Sequence, residues 1–473
     1  MKSLFYKLKL RLRQKSSIGY HLKGGLTILL LAGSLVVKAD VVDDYITTQM
    51  RWQHIPGLSI AVVRDGKIIK AKGYGLANLE TGSSATPESV YKIGSVSKQF
   101  IAAGTMLLVE EGKIGLEDPL KKYLDDTPES WRSITVRQLL THTSGIVREA
   151  PGFDPLKVQP DIYVIRTTYS LPLRFAPGEH WAYSNINYYC LAEIIRNVTG
   201  KPWSEFIADR IFATAAMSST RTTTTTDIVP HRANGYNSIK NTTTNSDVWL
   251  ALRPSGAFLS TVLDLAKWDA ALYLDAILSA SSRAQMWSPV RLNNGTTFNY
   301  GFGWFIDSSQ GHRRVYHSGG VPGFVCEFDR FIDDKLTIIL MANVSNRDLG
   351  DVAINVGAFY VPALKPPIDK PIADSEPELA AHVKAVITGL ANGNLELSQF
   401  TSELASNLTG ELKSGSFNDL RRFGPIRSFI LIERKNEGND RTYSYRLTYR
   451  QIALFVDCTF NKDNKIVRFA LHD

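Results

Sequence analysis

Short apolar runs of strand type stand near both ends of a long first segment, and helical spacing fills the interval between them. Leu58-Ser59-Ile60-Ala61-Val62-Val63 and Lys67 to Tyr74 flank Asp65-Gly66, a pair suited to the φ > 0 turn of a hairpin. Strand character returns at Arg313 to Ser318, Val325 to Phe331 and Leu336 to Asn343, the last two joined at Asp333-Asp334. Between these ends, Phe100, Ile101, Leu107 and Leu108 fall at helical intervals in a Pro-free run from Ser95 to Glu111. Leu191, Ile194 and Ile195 mark a second helix that Gly200 closes. The region to about residue 290 otherwise reads as helices with long loops; Thr222 to Thr226 and Asn241 to Asn245 flank a polar, low-complexity loop to which no structure is assigned. The pattern predicts an α/β (α+β) fold: an antiparallel five-stranded sheet with flanking helices, its strands drawn from both ends of the segment and a mainly helical region inserted between them.

Pro362, Pro366, Pro367, Pro371 and Pro377 gather five of the twenty prolines into one stretch, which marks a stiff linker over 362–377. A small α+β domain follows at 378–473. Its first half is helical, Glu378 to Leu390, and its second half is a meander of Ser428 to Arg434, Thr442 to Tyr449, Ile452 to Phe460 and Lys465 to Leu471.

Composition changes this picture at one place. The chain of 473 residues carries a net charge of +8, which taken whole suggests a nucleic-acid or acidic-membrane partner. Lys2, Lys7, Lys9, Arg11, Arg13, Lys15, Lys23 and Lys38 hold all of that excess within residues 1–39, where no acid stands, so the rest is neutral and nucleic acid is excluded as a partner. The same leader has an apolar run from Leu26 to Val37 and Val37-Lys38-Ala39 before Asp40. This is the layout of a signal peptide cleaved after Ala39, with an uncleaved anchor as the alternative because the basic n-region is unusually long; cleavage leaves the first domain at 40–361 and an exported, periplasmic or secreted product. The run is too short for a stable membrane span of about 20 residues. Cys190, Cys326 and Cys458 are too few for a disulfide framework. No Cys-x-x-Cys, His-Glu-x-x-His or P-loop occurs, so no metal and no cofactor is expected; Gly73-Tyr74-Gly75 lacks the last Gly of a dinucleotide fingerprint.

Chemistry enters at Ser95-Val96-Ser97-Lys98. Ser and Lys three residues apart at a helix mouth share one face, roughly 5–6 Å apart at Cβ. The positive end of the helix dipole and burial both oppose a charge on Lys98, and a hydroxyl beside a neutral amine is an activated nucleophile. Alone, the spacing reads first as a capping Ser with a solvated Lys, since a chain of this length holds about one or two such matches by chance. Two later stretches add to it: Phe175-Ala176-Pro177-Gly178-Glu179-His180-Trp181-Ala182-Tyr183-Ser184-Asn185, which ends in Tyr-x-Asn, and Tyr316-His317-Ser318-Gly319-Gly320, which gives His-x-Gly on a predicted strand.

In that order the three motifs resemble those of the class C β-lactamase and D-alanyl-D-alanine carboxypeptidase family of penicillin-binding serine hydrolases. Leu139-Leu140-Thr141-His142-Thr143-Ser144-Gly145, Pro177-Gly178, Tyr300-Gly301-Phe302-Gly303-Trp304 and Gly323 extend the likeness over about residues 42 to 345. The last domain is similar to the nuclear-transport-factor-2 type that some members append. The resemblance implies a β-lactamase/transpeptidase-like fold with Ser95 as acylated nucleophile and Lys98 and Tyr183 sharing the base role, the phenol's pKa lowered by the nearby cation. It implies that Asn185 holds the Lys and the substrate amide, and that the backbone N–H groups of Ser95 and Gly320 form the oxyanion hole, with Gly319 and Gly320 allowing close approach. His142 reads as a turn-stabilising residue.

The third motif departs from the β-lactamase pattern, since His317 replaces Lys. Members with His here include carboxypeptidases and esterases. The expected activity is therefore acyl transfer on a small-molecule ester, peptide or β-lactam substrate, with D-amino-acid peptides of the cell wall as one class. A β-lactamase is the alternative in the same class, and a catalytically silent wall-fragment- or penicillin-binding module the alternative in another. A neutral imidazole at 317 is expected to favour neutral acyl donors, and to accept anionic ones better as falling pH charges it.

Overall fold

The computed structural model describes residues 40–473 apart from 155–156, 225, 240–241, 248–252, 366–369, 415–416, 418–419, 422, 438–439, 450–452 and 473. The leader with its expected cleavage site, Pro366 and Pro367 of the linker, Thr225 and Asn241 of the low-complexity loop and Ile452 lie outside the described residues.

Asp65 and Gly66 turn the first hairpin with φ of 49° and 72°, the positive values its right-handed twist favours. Its strand Gly57–Arg64 pairs on the other side with Leu336–Ala342, Leu58 opposite Ala342, so the two ends of the first segment meet in one sheet. Among the described residues this sheet has seven antiparallel strands, in the order Phe305–Ser309, His312–Val321, Phe324–Phe331, Leu336–Ala342, Gly57–Arg64, Lys67–Asn78, Ser83–Ser84. The five expected strands are its centre. The two additional strands are edges: Phe305–Ser309 is half polar and Ser83–Ser84 is two exposed serines, so neither carries an apolar run. His312–Val321 also runs past Ser318 through Gly319 and Gly320, where a Gly pair reads as a strand end.

The central strands are buried on both faces, which is why they read as continuous apolar runs. Ala61, Val63, Ile339 and Met341 face one core with the helices Lys98–Glu110 and Val262–Ala271; Leu58, Ile60, Val62, Ile338 and Leu340 face another with Val41–Trp52 and Gly350–Tyr360. The helix Lys98–Glu110 is buried from Lys98 to Leu108, as befits a helix apolar on nearly all sides. In the low-complexity region, for which the sequence predicts no structure, Thr242–Asn245 pairs antiparallel with Tyr236–Ile239; β-branched threonines suit an extended chain.

The C-terminal part carries its own core. Leu379, Val383, Val386, Ile387 and Leu390 recur at helical spacing on Pro377–Asn392 and belong to one apolar cluster with Tyr443, Tyr445, Leu447, Val456 and Phe460 of a four-stranded antiparallel meander. A second helix, Ser402–Ser414, precedes that sheet. Its contacts begin inside the expected linker: the Ile372 N–H donates to the Leu431 carbonyl, and Glu376 takes hydrogen bonds from Arg441 and Tyr443 and pairs with Arg434. Leu364 remains in the core of the first segment. Trp52 packs on Phe423 across the two parts, with ring centroids 5.6 Å apart.

Candidate functional site

The backbone before the Ser95 helix is set by close contact with the strand His312–Val321. Gly94 holds φ at +52°, and a Cβ there would fall 2.8 Å from the Gly320 nitrogen. A Cβ on Gly319 would fall 1.9 Å from the Ile93 carbonyl oxygen, so Gly319 is required by backbone packing rather than by a ligand. At Gly320 a Cβ would meet nothing within 4 Å; this glycine faces open space and lines the cleft. Gly94–Ser97 form a 3-10 turn that delivers Lys98 as the first residue of the α-helix. The first hydrogen bond of that turn is from the Val96 N–H to the Ile93 carbonyl, leaving the Ser95 N–H ahead of it with no intrahelical partner. The Ser95 and Gly320 N–H groups thus lie on two backbones in contact.

Lys98 is fully buried. Its Nζ lies 3.1 Å from Ser95 Oγ, 2.9 Å from Asn185 Oδ1 and 2.8 Å from the Ser255 carbonyl oxygen. The last two atoms only accept, so a neutral amine donates to both and turns its lone pair to the Ser95 hydroxyl. Burial holds the Lys98 pKa well below its usual value, helped by the charges of Arg253 and Arg148 and opposed by Glu149. Asn185, the first residue of the helix Asn185–Thr199, gives its amide N–H to Glu149, which in turn pairs with Arg253.

Tyr183 stands beside this pair, its ring 4.7 Å from Lys98 Nζ. Its pKa runs opposite to the expectation. Burial raises it, outweighing a hydrogen bond with Ser95 and the Arg148 charge, and the lysine that was to act as the cation is itself buried towards neutrality. Tyr183 is therefore a phenol at rest, able to donate, and Lys98 is the group of the two that can accept a proton.

His317 faces Tyr183 at 6.2 Å between ring centroids, and its side chain is buried. Its Nδ1 is 2.6 Å from the Ser318 carbonyl, to which it can only donate; Nε2 is then the acceptor and takes the Tyr300 hydroxyl at 3.2 Å. Burial is the main cause that pushes its pKa down to about 3, against the Ser318 bond, and Lys98 adds to it in whatever fraction is protonated. This corrects the pH expectation: His317 stays neutral through the ordinary acid range and gains no charge with which to hold an anion. His142, at φ +59°, is the turn residue expected and also a support, since its Nδ1 accepts the Ser184 N–H at 3.3 Å and its ring packs 4.4 Å from that of Tyr183.

Ser95, Asn185, Gly319 and Gly320 line a cleft of about 840 Å³. A family model described as Beta-lactamase matches residues 42–358. The chain belongs to the β-lactamase family. Penicillin-binding protein 4* of Bacillus subtilis (strain 168) is 34% identical over 306 residues, covering 60% of this chain and 67% of that protein. A D-aminopeptidase of Brucella canis is 28% identical over 333 residues, 66% of this chain and 61% of the relative. Among solved structures, the octameric penicillin-binding protein homologue from Pyrococcus abyssi aligns with a TM-score of 0.62 at 23% identity over 91% of this chain and 99% of its own. The D-amino acid amidase from Ochrobactrum anthropi SV3, complexed with L-phenylalanine, aligns with a TM-score of 0.57 at 23% identity over 68% and 96%. These likenesses establish the β-lactamase/transpeptidase-like fold.

Within this β-lactamase-family cleft several residues escaped sequence reasoning: Arg148, Glu149, Arg253 and the Ser255 carbonyl. Arg148 and Glu149 stand two residues past the Thr-Ser-Gly loop, a charged pair after Ile146-Val147, and that closeness was the available signal. Arg253 and Ser255 come from a loop without periodicity, so no local pattern points to them. Among the described residues no group of three or more His, Cys, Asp or Glu gathers as a metal site, and no helix is long and apolar enough to cross a membrane.

Proposed function

We propose that this member of the β-lactamase family is an exported serine hydrolase that acts on esters or amides through an acyl-enzyme on Ser95. The observation that carries the reading is the lysine amine 3.1 Å from the serine hydroxyl, its two other polar contacts both being pure acceptors. Lys98 takes the Ser95 proton as Oγ attacks the substrate carbonyl carbon. The N–H groups of Ser95 and Gly320 hold the oxyanion, a contribution of about 3 kcal/mol per donor. As the tetrahedral intermediate collapses, Tyr183 hands its proton to the leaving group and recovers one from Lys98; water then attacks the acyl-enzyme, releasing the acid and restoring the Ser95 hydroxyl. Asn185 keeps Lys98 in place and His317 braces the wall behind Tyr183.

Relatives described as a D-aminopeptidase and a D-amino acid amidase support D-amino-acid amides and peptides as the substrate class. The basic leader with its apolar run supports export, with cleavage after Ala39. The helices and meander after the linker support a separate domain of nuclear-transport-factor-2 type. The test is a fluorophosphonate label read by mass spectrometry, alongside a panel of short esters, D-amino-acid amides and cephalosporins. The reading predicts label on Ser95 and turnover of an ester or amide. An unlabelled, inert protein would leave a silent binding module, and a cephalosporin turned over faster than every ester and amide would make it a β-lactamase.

A further inference from the structure

Three arginines line the cleft, and two of them are occupied. Arg253 pairs with Glu149, the same carboxylate that holds the Asn185 amide. Arg347 donates to the backbone carbonyls of Gln53, Asn346 and Ser238. Arg148 is different: it is exposed, its guanidinium lies 5.1 Å from the centre of the Tyr183 ring, and no carboxylate among the described residues stands within ion-pair distance of it. Asp247 and Asp348, the cleft's other exposed acids, do not reach it. The strand that carries a lysine in the β-lactamase form of the third motif offers no charge here, because His317 is buried with its Nε2 turned to Tyr300 as an acceptor. The cation available to a ligand beside Ser95 therefore sits on the loop after Thr143-Ser144-Gly145.

We propose that Arg148 is a specificity-determining residue whose guanidinium holds a carboxylate carried by the substrate. The inference rests on the serine-hydrolase reading and replaces the expectation that this site favours neutral acyl donors. A planar guanidinium with its N–H groups uncommitted binds a carboxylate through two parallel hydrogen bonds, and the aromatic face beneath it fixes its plane. The low-dielectric wall around Tyr183 strengthens the attraction.

Because Arg148 also touches Tyr183, its loss slows every substrate to some extent, and the informative quantity is a ratio. Three chromogenic esters separate the effects on the full chain: 4-nitrophenyl butyrate, which is neutral, 4-nitrophenyl hemiglutarate, with the carboxylate on the acyl chain, and the butyrate ester of 4-hydroxy-3-nitrobenzoate, with it on the leaving group. Wild-type protein should favour at least one anionic ester in kcat/KM. Arg148→Gln should lower that anionic-to-neutral ratio roughly tenfold or more, mainly through KM, the scale for removing a charged hydrogen-bond partner. Arg148→Lys should restore part of it. Equal slowing of all three esters, or an unchanged ratio, overturns the proposal and leaves Arg148 as a positioning residue for Tyr183, while turnover of the neutral ester shows that the hydrolase reading still stands. If no ester turns over and Ser95 takes no label, the hydrolase reading fails and this inference falls with it.

Discussion

The core beneath the Ser95 helix and the core of the C-terminal meander are both dense with Leu, Ile, Val and aromatic rings, yet they bury different things. The first encloses Lys98, Asn185, Asn187, His142 and His317, all buried, with hydrogen bonds chosen so that each can stay neutral. The second packs Leu379, Val383 and Ile387 with Tyr443, Val456 and Phe460, and keeps its charged contacts, Glu376 with Arg434 and Arg441, at a partly exposed rim. Taking an ionisable group out of water costs several kcal/mol unless its charge is given up. The first core accepts this cost at three neighbouring positions, Lys98, His142 and His317, as the proposed chemistry at Ser95 requires, and the second keeps its charges at the rim.

The contrast can be broken most severely at Ser95. Ser95→Ala should reduce hydrolysis to the uncatalysed background and leave thermal unfolding within a few degrees of wild type, since little core volume is lost at a helix mouth; circular dichroism with an ester assay checks both. Tyr183→Phe keeps the ring packed on His142 and removes only the hydroxyl, so turnover should fall by about 100-fold with little change in stability. In the other core the effect moves from rate to stability. Ile387→Ala should destabilise the C-terminal meander by about 2–4 kcal/mol in urea unfolding while the rate on a small ester stays within about twofold.

How much of this could be read along the chain follows the same division. The hairpin at Asp65-Gly66, the central strands and the amphipathic helix before the meander were legible because each is dictated by its own residues. The Ser95–Lys98 pairing was legible because helical spacing alone brings i and i+3 together. Edge strand Phe305–Ser309 was not, since its burial is partial, nor was the continuation through Gly319 and Gly320, which depends on contact with Ile93 and Gly94 from a distant part of the chain. The charge states of Tyr183 and His317 were read in the wrong direction or over the wrong range, because both are set by desolvation, a property of the assembled fold.

The smallest effect sharpens that last point. The folded-state pKa of His317 is depressed to about 3 from 6.5, so between those values the unfolded chain binds a proton that the folded one does not. Stability from this residue is present above about pH 6.5 and is lost as pH falls towards 3, at about 1.4 kcal/mol per pH unit. His317→Asn should flatten that part of the slope relative to wild type in urea midpoints measured between pH 4 and 7.

The central claim is that Lys98 is kept neutral enough to take the Ser95 proton. The rate at which a fluorophosphonate labels Ser95, followed across pH by intact mass, tests it most directly. The account predicts a rate that reaches its plateau well below pH 10.5, the ordinary range of a lysine, and that collapses in Lys98→Met. A rate that keeps rising to pH 10.5, or that survives the loss of Lys98, would contradict it.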